Sequence, residues 1–301
     1  MTSRTPLRRH LGHPRLAGGL TRLADYVPGM GSVLWRAAHT YIGGRDVAEA
    51  QACVERLLAQ GCQVSLDLFG TDTDEAEIGA VTESYLELAR ATAGRGPAVW
   101  LSVDPSHVGL HTFPAAGRAA LERIAGALTS GRRLQIGAEA AETAESTLRA
   151  VLDLAGAGLP VTATVQANLV RSHDDARRLA EAGVPVRLVK GAFREDPRIS
   201  WRAPEQVDAS YVHIAESLHR QGAAFSLATH DRTLREQLLS SVGPVPCEVG
   251  LGVRPRDTGA LARSGAAPRV YVPYGPLWLR FYLRRLAEAP PRRLRGPARS
   301  G

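Results

Sequence analysis

Apolar and β-branched residues gather in short runs along the chain, and between the runs apolar positions recur every three to four residues. The first pattern suits strands buried on both faces, the second suits helices that cover them, and their alternation predicts repeated βα units around a parallel sheet. Eight runs read as strands: QVSLDLF (63–69), AVWLSV (98–103), RLQIGA (133–138), VTATVQA (161–167), VRLVKGA (186–192), AFSLATH (224–230), PCEVGLGV (246–253) and RVYVPY (269–274). Amphipathic segments include 74–93, 115–128, 144–154, 172–182, 206–221 and 276–289. The pattern predicts an α/β fold, a (β/α)8 TIM-like barrel with a helical N-terminal segment that includes 47–59. The expected organisation is a basic segment leading into helix over 1–44, a barrel over 45–289 and a basic tail over 290–301.

Chemistry in such barrels sits at the C-terminal ends of the strands. The strand ends are predicted to present Asp67, Asp104, Glu139, Gln166, Lys190, Thr229 with His230, Glu248 and Tyr271. After the last strand, Gly275 and Pro276 read as a helix start, with Arg284 and Arg285 two turns further on.

The chain has 301 residues and is 44% hydrophobic, enough for a large core in one domain. Its net charge of +7 suggests a nucleic-acid partner until the charges are located. Residues 1–15 and 290–301 hold eight arginines and no acid; without them the net charge is −1. The body is therefore near neutral and no nucleic-acid partner is expected, while the basic tails leave room for a weak peripheral contact with an anionic membrane surface. Three cysteines, Cys53, Cys62 and Cys247, lack metal-ligand spacing and suit a reducing compartment, and no metal is expected. No apolar run reaches the about 18 residues of a membrane span. The first 24 residues are basic and acid-free, as in a transit peptide, but arginine is abundant throughout, so a cytoplasmic protein is expected.

Lys190, in VRLVKGAFRED, is the only lysine of the chain. Arginine is a permanently charged planar fork, whereas lysine is a compact ammonium that can lose its proton or form a Schiff base. A lone lysine at a strand end is open to four readings: a Schiff-base nucleophile of a barrel lyase, a phosphate contact, a flavin contact, or a partner of a buried carboxylate. A phosphate-binding barrel would want a glycine-rich loop after the last strands, which Gly250, Gly252 and Gly275 suggest only faintly.

VRLVKGAFRED, FSLATHDRTL and RVYVPYGPLWLRFYLRRLAE, together with VSLDLFG and VQANL in the same order, closely resemble the FAD-dependent, PutA-like proline dehydrogenases over residues 45–289. The resemblance implies a (β/α)8 barrel that binds FAD and oxidises the C–N bond of proline, or of a proline-like or other amino-acid-derived amine, to an imine by hydride transfer to flavin N5. It implies that Arg187 and Lys190 lie against the flavin, where positive charge stabilises its reduced form. It further implies that Gln166 hydrogen-bonds the isoalloxazine and that Thr229 and His230 contact the rest of the FAD. Arg284 and Arg285 would clamp the substrate carboxylate beside Glu288, a task suited to guanidinium forks, and Tyr271 would pack on the substrate ring. The electron acceptor would be a quinone or oxygen.

The departures from the family pattern cluster at the site. Asp104 in LSVDPSHVGL stands where the family has a lysine, and Gly137 in Ile136-Gly137-Ala138-Glu139 stands where it has an aspartate. Thr71 in Phe69-Gly70-Thr71 replaces a glutamate, Phe193 replaces a tyrosine, and the seventh strand reads Glu248-Val249-Gly250 instead of Glu-Phe-Gln. The paired loss at 104 and 137 looks concerted, since removing one partner of a close buried pair leaves the other uncompensated. Asp104 is expected to hold a cationic amine or a second nitrogen of the substrate, to act as a base, or merely to cap the loop before Pro105. A non-catalytic, ligand-binding relative is the alternative to an enzyme with an altered substrate.

Overall fold

A computed structural model describes residues 30–288. Its order is α1 (Met30–Ala38), α2 (Val47–Ala59), β1 (Gln63–Leu68), α3 (Glu75–Ala91), β2 (Val99–Val103), α4 (Pro114–Gly126), β3 (Leu134–Ile136), α5 (Ala144–Gly156), β4 (Val161–Gln166), α6 (Ser172–Glu181), β5 (Val186–Val189), α7 (Pro204–Arg220), β6 (Phe225–Ala228), α8 (Arg232–Val242), β7 (Cys247–Gly250), α9 (Pro255–Arg263), β8 (Arg269–Tyr274) and α10 (Trp278–Glu288). The eight strands close into a barrel in sequence order, and every neighbouring pair is parallel, including β1 with β8. The predicted (β/α)8 architecture is the one observed.

The core lies between the strands and the surrounding helices. Alternate strand residues such as Val64 and Leu66, Val99 and Leu101, and Val186 and Leu188 are buried there with Leu88, Leu121, Ile214 and Leu218 of the helices. The opposite parity fills the barrel interior, where Ser65, Asp67, Gln135 and Glu248 are buried. At the bottom, Arg269 stacks on Trp100, 3.6 Å from the ring centroid, and donates to Val64 O at 2.8 Å. The helix α1 packs beside α10 through an edge contact of Trp35 with Trp278 at 5.1 Å.

The elements differ from the sequence reading in three respects. Apart from β8, which has its predicted bounds, the strands are shorter than the predicted runs; β3 has three residues and β5 four. Two helices not picked out, α8 and α9, complete the last units; α8 buries Leu234, Leu238 and Val242 one turn apart, and α9 buries none of its residues, so neither carries a broad apolar stripe. Finally, α10 begins at Trp278 and not at Pro276, since Gly275 first turns the chain at φ +125°. Among the described residues, no helix is long and apolar enough to cross a membrane. The basic tails lie outside the described residues.

Candidate active site

Arg187 enters the barrel interior because β5 alternates Val186 and Leu188 toward the helices with Arg187 and Val189 inward. Beneath it lies Glu248, 3% exposed, whose Oε2 accepts from Arg187 Nε at 3.0 Å and from Gln135 Nε2 at 3.0 Å, while its Oε1 accepts from Ser226 Oγ at 2.6 Å. A buried carboxylate with this many donors is satisfied, and it fixes the guanidinium from below. The Arg187 guanidinium also stands 5.7 Å from the Tyr271 ring centroid. Sequence reasoning had put Glu248 and Tyr271 at strand ends; both lie within their strands and project into the barrel, because the apolar residues beside them face the helices.

Tyr271 donates from its hydroxyl to Asp67 Oδ2 at 2.6 Å, and Tyr85 reaches Asp67 Oδ1 at 3.4 Å. Burial and the nearby charge of Asp104 push the Asp67 carboxyl well above the usual carboxylate range, against the pull of these hydrogen bonds and of Arg284. Asp104, just past β2, is raised as well: burial and Glu139 raise it, Arg284 and Arg187 oppose. Glu139 goes the other way despite its burial, because His111 Nε2 at 3.1 Å, Ser106 Oγ at 2.5 Å and Ser106 N at 3.0 Å favour its charged form. The glycine at 137 now has a reason: a Cβ there would stand 2.7 Å from Asp104 Oδ1.

On the cationic side, Arg284 lies 5.1 Å from the centroid of the Phe69 ring and 5.7 Å from that of Phe281. His230 accepts at Nε2 from Gly250 N at 3.3 Å. Its burial, with Arg285, Arg254, Arg235 and Arg187 around it, lowers its pKa to about 4, so the ring is neutral at neutral pH. Thr229 is buried and its Oγ1 accepts from Asp231 N at 3.1 Å. Gln166 donates to Glu139 O at 2.7 Å. Lys190 lies one residue past β5, before Gly191, whose φ is +101° and whose place a Cβ could not share with the Asn168 side chain. Its ammonium is clamped by Asp208 Oδ1 at 2.5 Å and Asp231 Oδ2 at 3.0 Å. Partial burial would lower its pKa, but the two carboxylates win and hold it above the ordinary value.

These residues share one cavity of about 870 Å³ at the C-terminal mouth of the barrel, lined by Asp104, Gln166, Arg187, Lys190, Thr229, His230, Tyr271, Arg284 and Arg285, with Gly137, Glu139, Thr164 and Phe193. The buried Thr164 hydroxyl in its wall has no protein partner. A smaller hollow of about 180 Å³ adjoins it, where Tyr41 and Phe281 join Arg187, Tyr271, Arg284 and Arg285. Glu288 ends α10, and its side chain lies outside the described residues. Sequence reasoning missed Phe69 as the support of Arg284, Glu248 as the anchor of Arg187, and Asp208 and Asp231 as the clamp on Lys190. Glu248 and Phe69 had been named only as a strand-end acid and a motif residue, Asp231 directly follows Thr229 and His230 in its motif, and Asp208 carried no signal.

No protein-family model matches the sequence. The chain is 26% identical over 266 residues to proline dehydrogenase 2 of Bacillus subtilis (strain 168), covering 84% of this chain and 87% of that one. It is 27% identical over 271 residues to the proline dehydrogenase of Deinococcus radiodurans, covering 85% and 87%. Among solved structures, proline utilization A (PutA) from Bdellovibrio bacteriovorus, inactivated by N-propargylglycine, superposes with a TM-score of 0.74 at 18% identity, over 86% of this chain and 33% of that one. PutA from Corynebacterium freiburgense superposes with a TM-score of 0.69 at 16% identity, over 95% and 33%. The chain thus spans about a third of the length of the PutA chains it matches. The similarity to the proline dehydrogenase family extends along the barrel and is not confined to the motifs at its mouth.

Proposed function

We propose that the chain is a flavin-dependent dehydrogenase that oxidises a carbon–nitrogen single bond of proline, or of a proline-like amino acid, to the imine. The observation that carries this reading is the composition of one cavity: carboxylates from the ends of β2 and β3, guanidinium groups from β5 and α10, and the Tyr271 ring between Arg187 and Asp67. The guanidinium pair on α10 suits the carboxylate of an amino acid, and the Tyr271 ring offers a face for the ring beside it.

The residues fit FAD. Arg187, fixed by Glu248, supplies a positioned charge; Gln166, the partnerless Thr164 hydroxyl and the neutral His230 supply polar contacts; and the cavity volume lies within the range of cofactor sites. Held by Arg187, Gln166, Thr164 and His230, a flavin would supply the acceptor for the hydride on the carbon beside the substrate nitrogen. Arg284 and Arg285 hold the substrate carboxylate, and the Tyr271 ring, immobilised through Asp67, packs on the substrate ring. The reacting nitrogen must be neutral when the hydride leaves, and its proton passes to water at the open mouth. A quinone or oxygen would be the final electron acceptor.

The experiment is the visible spectrum of the purified protein, release of FAD on denaturation, and anaerobic bleaching by proline, hydroxyproline and related cyclic amines. A yellow protein bleached by at least one of them is expected. A colourless protein that does not take up added FAD overturns the reading.

A further inference from the structure

Besides Asp231 in the clamp on Lys190, three carboxylates stand near the mouth of the barrel, and two of them accept hydrogen bonds. Asp67 accepts from Tyr271 and Tyr85, and Glu139 accepts from Ser106 and His111. Asp104 is the third, and the cations nearest it are Arg284 and Arg187. It opens the short turn Pro105–Val108, but its side chain does not cap that turn, which removes the structural role expected for an acid before Pro105. Its carboxylate lines the cavity instead.

Gly137 makes this position available. Its N–H donates to Val103 O at 2.9 Å, which brings the backbone past β3 against the end of β2. A Cβ on residue 137 would lie 2.7 Å from Asp104 Oδ1 and 3.3 Å from Val103 O, so any side chain there would displace the carboxylate. Asp104 and Gly137 are therefore one unit, a carboxylate and its seat, on the wall of the cavity that also holds the arginine pair.

A carboxylate that grips an ammonium keeps it protonated, whereas the nitrogen oxidised in the reaction proposed above must be neutral. Asp104 is thus suited to a different nitrogen. We propose that Asp104, seated on Gly137, is a specificity-determining residue that selects a proline-like amino acid carrying a second, non-oxidised cationic amine. This rests on the reading of the cavity as an amino-acid oxidation site.

The test uses the holoprotein and two ligands in which a ring oxygen replaces the ring nitrogen, so that no imine can form: tetrahydrofuran-2-carboxylate and its 4-amino derivative. Calorimetric titration should show the amino derivative binding at least tenfold more tightly. Asp104→Asn should close the gap to within twofold, and Gly137→Ala, which pushes the carboxylate from its seat, should narrow it as well. Should Asp104→Asn fail to fold, the ligand pair on the unmodified protein and the Gly137→Ala variant still decide. Equal affinity for the two ligands in the unmodified protein overturns the inference. If proline nonetheless bleaches the flavin, only the specificity claim falls; if neither ligand binds and no cyclic amine bleaches the flavin, the oxidation reading falls with it.

Discussion

The ammonium of Lys190 stands 3.0 Å from Asp231 Oδ2 and 2.5 Å from Asp208 Oδ1, so the only lysine of the chain bridges the N-terminal cap of α8 to α7. An amine held charged by two acids is a poor Schiff-base nucleophile. Borohydride treatment in the presence of carbonyl compounds should leave Lys190 without a mass adduct. Lys190→Met leaves two carboxylates facing each other and should cost roughly 1–3 kcal/mol, between the values for exposed and buried pairs. Lys190→Arg should recover only part of that loss, because a planar fork does not fit a site built around a compact ammonium. Denaturant titration of the three proteins measures this, and an unchanged midpoint for Lys190→Met would make the clamp incidental.

The guanidinium of Arg284 stands over two aromatic rings, those of Phe69 and Phe281. Arg284 is exposed, so Arg284→Met should weaken a carboxylate ligand by about 1–2 kcal/mol, less than for a buried charge pair, and on the proposed reading FAD content should not change. Phe69→Leu removes only the support, worth about 0.5–2 kcal/mol, and should raise KM for the amino acid with kcat little changed. A matched fall in kcat would mean that Phe69 acts on the chemistry and not on the position of Arg284.

The barrel was legible because two periodicities suffice to predict it: β-branched runs and amphipathic segments appear in the right order and number. The shallow helices α8 and α9 were not, since a helix that buries three apolar residues or none leaves only a narrow stripe or no stripe to read. The residues around the mouth could be named from motifs, but their partners could not. Arg187 and Lys190 stand in one motif three positions apart. Strand parity turns the first inward onto Glu248, while the second, past the end of β5, reaches acids on two helices. Contacts that join the end of β5 to α7 or to β7 lie 18 residues (Lys190 to Asp208) and 61 residues (Arg187 to Glu248) apart and leave no local pattern. The tie between Asp104 and Gly137 was visible only as a pair of departures, and its cause, a Cβ that would collide with a carboxylate, is geometric.

His230 offers a spectroscopic check on the electrostatics of the cavity. With burial and four arginines lowering it, the ring should titrate near pH 4 and not near its ordinary value of 6.5. A depressed histidine contributes stability that is present above about pH 6.5 and is lost as the pH falls through about 4. Arg285→Met removes the largest of the charge contributions, so the His230 midpoint, followed by NMR of its ring proton, should move upward. A midpoint that stays put would mean that burial alone sets it.

Asp67 gives the opposite sign. Burial and Asp104 raise its carboxyl in the folded state, so the fold prefers it protonated. A raised carboxyl contributes stability that is fully present below its unfolded value, near pH 4, and is lost as the pH rises through the folded value. Asp67→Asn keeps an acceptor for the Tyr271 hydroxyl and removes the charge. Its melting temperature should therefore gain on that of the unmodified protein progressively from pH 5 to pH 8. Asp104→Asn should reproduce part of this gain, because the two carboxyls titrate as a pair and losing one charge eases ionisation of the other. Tyr271→Phe should do the reverse: it removes a donor that favours the ionised form, drives the Asp67 carboxyl higher still and steepens the loss of stability toward alkaline pH. Melting curves for the four proteins across that range measure all three effects at once. Parallel curves would show that Asp67 is ionised throughout and that its 2.6 Å hydrogen bond from Tyr271 outweighs its burial.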